Sequence, residues 1–306
     1  MHDHDHAHYA HSREIPVDYG RAFAIGIAAN LTYVAVQVVY GLLAHSVALL
    51  ADAAHNFGDV LGLVLTWAAS VLARRVPTQH FTYGLRKTSV LAALANAGLL
   101  LIVTGGIAWE ALQRLLHPMP VAGATVAWVA ALGIVINGGT ALLFMSGRKR
   151  DLNIRAAFLH LASDAVVSVG VVLAGLGILY SGWLWLDPIV SLIISAVIIG
   201  GTWGLLRDSV RLSLDAVPAG IDIDKVELHL ASLAGVTEVH DLHVWAMSTT
   251  ETALTAHVVI PGGHPGDLFL TKLCHDLHDL YDIDHATVQV EVDANHRCVL
   301  APAHVV

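Results

Sequence analysis

Charge is scarce in this chain. Only 13% of its 306 residues are Asp, Glu, Lys or Arg, against about 25% in an ordinary soluble domain. That deficit excludes a fully solvated globule. Cysteine is nearly absent, and the two present, Cys274 and Cys298, cannot form a disulfide framework. Both lie in a polar C-terminal part assigned to the cytosol, where reduced thiols are the default. A basic patch is missing too. The net charge of −9 excludes nucleic acid as a natural partner. The N-terminus has no basic region ahead of an apolar core, so no cleavable signal peptide is expected. No HExxH occurs anywhere, which removes the usual helical zinc-hydrolase arrangement.

What is abundant is apolar sequence, 56% of the chain. Six stretches are long enough to cross a bilayer, near 20–43, 47–72, 87–112, 122–147, 153–180 and 184–206. Short connections imply antiparallel neighbours, and frequent Gly and Ala permit close helix packing. The basic residues set the orientation. Arg13, Arg21, Arg74, Arg75, Arg86, Lys87, Arg148, Lys149, Arg150, Arg155, Arg207 and Arg211 fall on one side and Arg114 alone on the other. The positive-inside rule then places both termini in the cytoplasm of a multi-pass protein of the inner (plasma) membrane. A span more or fewer would scatter these charges.

Three regions follow: 1–18, a polar tail with five histidines expected to be disordered; 19–211, a six-helix transmembrane domain; and 212–306, a cytosolic domain. In the last, 222–234 has the periodicity of an amphipathic helix, 237–247 and 252–260 alternate as strands, 266–280 returns to helix and 286–292 alternates again. The expected fold is therefore an α-helical membrane domain followed by a small α+β ferredoxin-like unit of order αββαβ.

The sharpest chemical feature occurs twice. His55 is followed by Asp59 in the second span, and His160 by Asp164 in the fifth. A four-residue step places both side chains on one helix face, about 6 Å apart along the axis. An Asp near the bilayer centre costs roughly 2.5–3.5 kcal/mol, so two matched pairs in separate spans require a reason. Two imidazoles and two carboxylates make a doubly negative, four-donor set suited to a divalent cation such as zinc. Four donors close the shell and leave no position for an activated water, which favours a carried ion over a hydrolytic metal. Metal binding to such donors displaces protons, so the same groups suggest exchange of metal outward for protons inward. Asp52, one turn before His55, reads either as an acid at a helix terminus or as part of an ion path. Asn30, Gln37, Asn96 and Asn137 read as hydrogen-bond partners between helices, and Glu110 as structural.

The run from Ser46 to Asp59, SVALLADAAHNFGD, resembles the second-span motif of cation diffusion facilitators, and His160–Asp164 resembles their fifth-span motif. Glu110–Leu115 with Pro118, Asp187-Pro188-Ile189 and His240–Trp245 are also similar to family features. The resemblance covers about 20–293. It implies a homodimer of six-helix protomers with cytosolic metallochaperone-like domains, and metal–proton antiport through His55, Asp59, His160 and Asp164. Zinc is the first expectation for the transported and regulatory ion, with cobalt and cadmium secondary; no other cofactor is required and no catalytic residue is assigned. The resemblance also implies cytosolic zinc ligands at His240, His257, Glu291 and Asp293. His285, His296 and Cys298 are near enough in sequence to join them, as are Cys274, His275 and His278, although a solvated helix face is preferred for the last two and an outward-facing strand position for His243. The loop 78–84 offers one histidine and no strong ion site is expected there. The N-terminal His/Asp tract reads equally as a metal buffer and as a solvated tail. Two other classes compete: an intramembrane metalloenzyme, and a membrane-anchored metal sensor whose spans serve only as an anchor.

Overall fold

The computed structural model describes residues 20–145, 152–293 and 298–300. The His-rich tail, the basic residues Arg148–Arg150 and His296 lie outside them. Six long helices come first: α1 (Gly20–Leu43), α2 (Val47–Ala73), α3 (Thr88–Leu116), α4 (Gly123–Phe144), α5 (Leu152–Ser181) and α6 (Leu186–Ser213). All but α1 contain 18 residues or more of strongly apolar sequence, and α1 carries a shorter apolar stretch, Ile27–Leu43. Its full 24 residues still exceed the roughly 20 needed to cross a hydrocarbon core.

Small residues set the packing. α4 and α5 meet so closely that a Cβ on Gly175 would stand 2.6 Å from the Ala127 backbone nitrogen, and one on Gly123 would stand 2.7 Å from the Gly175 carbonyl. Close backbone approach of this kind replaces the hydrophobic drive that lipid does not supply. The buried centre joins Tyr33, Ala48, Leu49, Val126, Ala130 and Val171. Large apolar side chains such as Trp67, Ile102 and Trp128 point outward, as lipid-facing residues should.

The C-terminal unit follows as α7 (Ile223–Ala231), β1 (Glu238–Ala246), β2 (Thr252–Val259), α8 (Asp267–Tyr281) and β3 (His285–Glu291). Asp222 caps α7, its side chain accepting from the Lys225 amide at 3.4 Å. Strand order is β1-β2-β3, with β1 and β2 antiparallel and β2 and β3 parallel. Val226, Leu230, Leu273 and Leu277 of the two helices pack on Val244, Leu254 and Ala256 of the sheet.

β1 is not the uninterrupted alternation expected for 237–247. Its register on β2 shifts between His240 and His243, and Asp241 adopts φ 50°. One extra residue inserted there reverses the faces of everything before it. Leu242 and Val244 therefore face the helices, while His240 faces away from them, directly opposite His257.

The two units meet at the end of the bundle where α3 begins. Arg86 Nη1 lies 2.6 Å from Glu251 Oε1, Lys87 pairs with Asp215, and the Thr249 amide donates to Ser89 Oγ at 3.1 Å.

Candidate metal centres

α2 carries the first HxxxD, and its start is fixed from two directions. Ser46 accepts from the Leu49 amide at 3.1 Å, as an N-cap should. Its hydroxyl donates to Asp187 of α6, whose carboxylate also accepts from the Val47 amide at 2.8 Å and the Ala48 amide at 3.4 Å. Asp187 and Ser46 are fully buried. A buried anion at a helix N-terminus satisfies the orphan amides and the helix dipole together. The sequence drew attention to Asp187 only through resemblance; the N-cap serine ahead of an apolar run was the physical signal for this end.

α2 and α5 run antiparallel, and identical HxxxD elements on antiparallel helices must set each histidine against the other helix's aspartate. That is the arrangement found. His55 Nε2 lies 3.1 Å from Asp164 Oδ1, and His160 Nε2 lies 3.2 Å from Asp59 Oδ2. Within each helix the distances are 3.6 Å from His160 Nε2 to Asp164 Oδ2 and 3.9 Å from His55 Nδ1 to Asp59 Oδ2. Nitrogen and oxygen donors about 2 Å from a tetrahedral zinc stand about 3.3 Å apart; His55, Asp59 and Asp164 each bring one donor atom within 4.8 Å of the other two, whereas the His160 ring, 6.1 Å from that of His55, must move inward to complete a four-donor set. Asp59 Oδ2 and Asp164 Oδ2 are buried oxygens without a hydrogen-bond partner. Buried polar atoms are normally satisfied; these two share the His160 ring as a neighbour, its Nε2 at 3.2 and 3.6 Å.

Exposure is graded across the site. The Asp164 side chain is 1% exposed and that of His55 23%, whereas Asp59 is at 27% and His160 at 45%. The layer nearer the C-terminal end of α2 is therefore the open one. On the other side of the site Asp52 is fully buried and accepts from Gln37 Nε2 of α1 at 2.5 Å. Asn56 donates to the Asp52 carbonyl at 2.9 Å. Asp52 is thus not an acid at a wet helix terminus; it joins α1 to α2 one turn from His55. Gln37 makes an interhelical hydrogen bond, the role expected of it, with Asp52 as its partner. Glu110 pairs with Arg114 at 2.9 Å.

A second cluster lies on the face of the sheet away from α7 and α8. His240 and His257 oppose each other across β1 and β2, with ring centroids 5.3 Å apart. Glu291, on the same face of the neighbouring strand, places Oε1 3.0 Å from His257 Nδ1 and 3.4 Å from His240 Nε2. Cys298 Sγ is 3.6 Å from His257 Nδ1, and one donor atom from each of these four residues lies within 4.8 Å of the others. Burial opposes ionisation of Glu291, but the Cys298 thiol donating to it and the adjacent His240 and His257 rings outweigh this and hold its pKa below the usual glutamate value. The inserted Asp241 turns its Oδ2 to 3.5 Å from His257 Nε2 and its Oδ1 to 2.9 Å from His243 Nε2.

Two expected cytosolic ligands are elsewhere. Asp293 was expected to share the Glu291 face, but β3 ends at Glu291, so strand alternation does not extend to it, and Asp293 is exposed and outside the cluster. His285 begins β3, six residues before Glu291, which is about 20 Å along a strand. Its ring packs instead against Tyr83 at 5.7 Å. Cys274, His275 and His278 lie exposed on α8.

Comparison with known proteins agrees with both halves. A model of the cation efflux transmembrane domain matches residues 23–212, and one of the cation efflux protein cytoplasmic domain matches 218–293. The zinc transporter ZitB of Escherichia coli K12 is 36% identical over 296 residues, covering 95% of this chain and 94% of its own. The metal cation efflux system protein CzcD of Cupriavidus metallidurans is 35% identical over 283 residues, covering 92% and 90%. A cadmium, cobalt and zinc/H(+)-K(+) antiporter of Bacillus subtilis is 31% identical over 270 residues, covering 87% and 86%. The chain thus belongs to the cation diffusion facilitator, or cation efflux, family, and is a multi-span metal-cation transporter, not an enzyme.

Proposed function

We propose that this chain carries zinc out of the cytoplasm in exchange for protons, and that His55, Asp59, His160 and Asp164 are the carrying site. The observation that supports this most strongly is the cross-pairing of two HxxxD elements on antiparallel helices, His55 with Asp164 and His160 with Asp59. Two carboxylates neutralise a divalent cation, which lowers the cost of holding it within the bilayer. Donors without sulfur suit zinc and also cobalt; cadmium is the further candidate cargo. Metal binding to such donors releases protons, so protons can replace the departing cation and keep the charge in the site balanced.

The graded exposure supports an inward-facing arrangement, with termini in the cytoplasm. The outer end is held shut by Asp187 of α6, which accepts from the first amide of α2, and by the Ala122 amide donating to the Ala44 carbonyl at 3.1 Å. We read His240, His257 and Glu291 as a regulatory metal site. The pairs Arg86–Glu251 and Lys87–Asp215 give that domain a mechanical connection to α3. A homodimer is the expected assembly.

The test is flux into proteoliposomes for zinc, cobalt, cadmium, nickel and manganese, comparing the natural chain with His55→Ala and Asp164→Ala. Loss of flux in well-folded variants supports the reading. A chain that keeps transport without Asp164 would instead be carrying its cargo elsewhere, and one that confers metal responses without any flux would be a tethered sensor.

A further inference from the structure

The cytosolic cluster contains a donor that the membrane site lacks. Cys298 follows β3 by seven residues, yet its sulfur sits among the side chains of three strands. It is 3.6 Å from His257 Nδ1 and hydrogen-bonds to Glu291. Sulfur at 2.3 Å and nitrogen at about 2 Å from a tetrahedral zinc stand about 3.6 Å apart. The two histidines are presented correctly for this. His240, whose side chain is 7% exposed, has neither ring nitrogen in a hydrogen bond, and its Nε2 faces Glu291. His257 turns Nδ1 to the cluster and Nε2 toward Asp241, the outer carboxylate that commonly orients a metal-bound imidazole.

We propose that Cys298 is the fourth ligand of a closed tetrahedral site with His240, His257 and Glu291, and that this thiolate makes the cytosolic site favour zinc and cadmium over cobalt and manganese. The proposal rests on reading His240, His257 and Glu291 as a metal site. Two nitrogens, one carboxylate oxygen and one thiolate give a softer set than the two nitrogens and two oxygens in the membrane, and softer donors shift preference toward cadmium and zinc. The two sites then differ in selectivity. The membrane cage is the more permissive, and the cytosolic site responds to the narrower class of ions.

Full-length protein in detergent, with Asp164→Ala silencing the membrane site, can be titrated with cobalt(II). A thiolate-to-cobalt charge-transfer band can arise only from sulfur. It is expected in the Asp164→Ala parent and with Cys274→Ser added, and lost with Cys298→Ser. Cys298→Ser should reduce the cadmium-over-cobalt affinity ratio at least ten-fold, and zinc should slow iodoacetamide alkylation of Cys298 at least ten-fold without protecting Cys274. If His257→Ala removes a bound ion but Cys298→Ser leaves the spectrum and the ratio unchanged, thiolate closure is overturned and the three-residue site stands. If neither His257→Ala nor Cys298→Ser changes the bound metal, both are overturned.

Discussion

The two candidate metal centres draw on nearly the same residue types and hold them in opposite ways. In the membrane, the donors sit on two separate helices, α2 and α5, and among the described residues no backbone hydrogen bond joins one helix to the other. In the cytosolic domain, they sit on adjacent strands whose ladder fixes His240 opposite His257. Helices can slide or tilt by an ångström or two at modest cost, whereas a strand pair cannot change register without reversing every side chain. A site that must release its ion on the other side of a membrane needs the first support. A site that reports an ion's presence needs the second. The difference also appears in the surroundings: Asp59 and His160 are partly exposed, while His240 and His257 are almost enclosed.

The largest effect is expected where the two sites are pulled apart. Asp59→Ala should cut zinc flux by at least about 100-fold, beyond the 10–100-fold typical of outer-shell changes, while equilibrium dialysis still finds metal in the cytosolic domain. Equal loss at both sites would break the comparison. His257→Ala should do the reverse. It should remove the cytosolic ion and lower flux at limiting zinc by about five-fold, the low end of measured allosteric couplings, with flux restored when zinc is saturating.

A smaller effect tests the support of α2. Asp187→Asn replaces an oxygen acceptor facing the Val47 amide and Ser46 hydroxyl with an amide that presents a donor there. It should cost about 1–3 kcal/mol, the range for a buried group left unpaired, seen as earlier thermal unfolding of the membrane domain with the cytosolic domain unchanged. The smallest effect lies in the cytosolic unit. The Lys225 side chain, then its amide, holds the Asp222 pKa below the ordinary value of 3.8. A lowered carboxyl pKa adds stability above 3.8 that is lost as pH falls through the lower folded value. Helix content of α7 should therefore decline only in that acid range, and Asp222→Asn should flatten the decline without shifting metal binding at neutral pH.

The legibility of this fold follows from its periodicities. Long apolar runs bounded by charge gave helix positions close to those found, because lipid leaves a backbone few alternatives to helix. The pairing of His55 and Asp59 with His160 and Asp164 was readable from the shared four-residue step. Which histidine faces which aspartate was not, since that depends on the antiparallel setting of α2 and α5. In the cytosolic domain the element order was readable, but the bulge at Asp241 was not anticipated. The hint was present: Val239 and Leu242, both core-facing, are three residues apart, an odd step that a regular strand forbids. Placing Asp293 on the Glu291 face was the related error, because alternation does not continue past the end of β3 at Glu291. The Asp187 cap joins residues 140 and more apart in sequence, beyond the reach of local pattern.

The most direct test of the carrying site is simultaneous recording of zinc entry and internal pH in proteoliposomes holding the full chain. Zinc moving inward should drive protons outward in fixed proportion, and His55→Ala or Asp164→Ala should abolish both signals together. Zinc movement with no accompanying proton movement, or either variant transporting at the unaltered rate, would contradict the account.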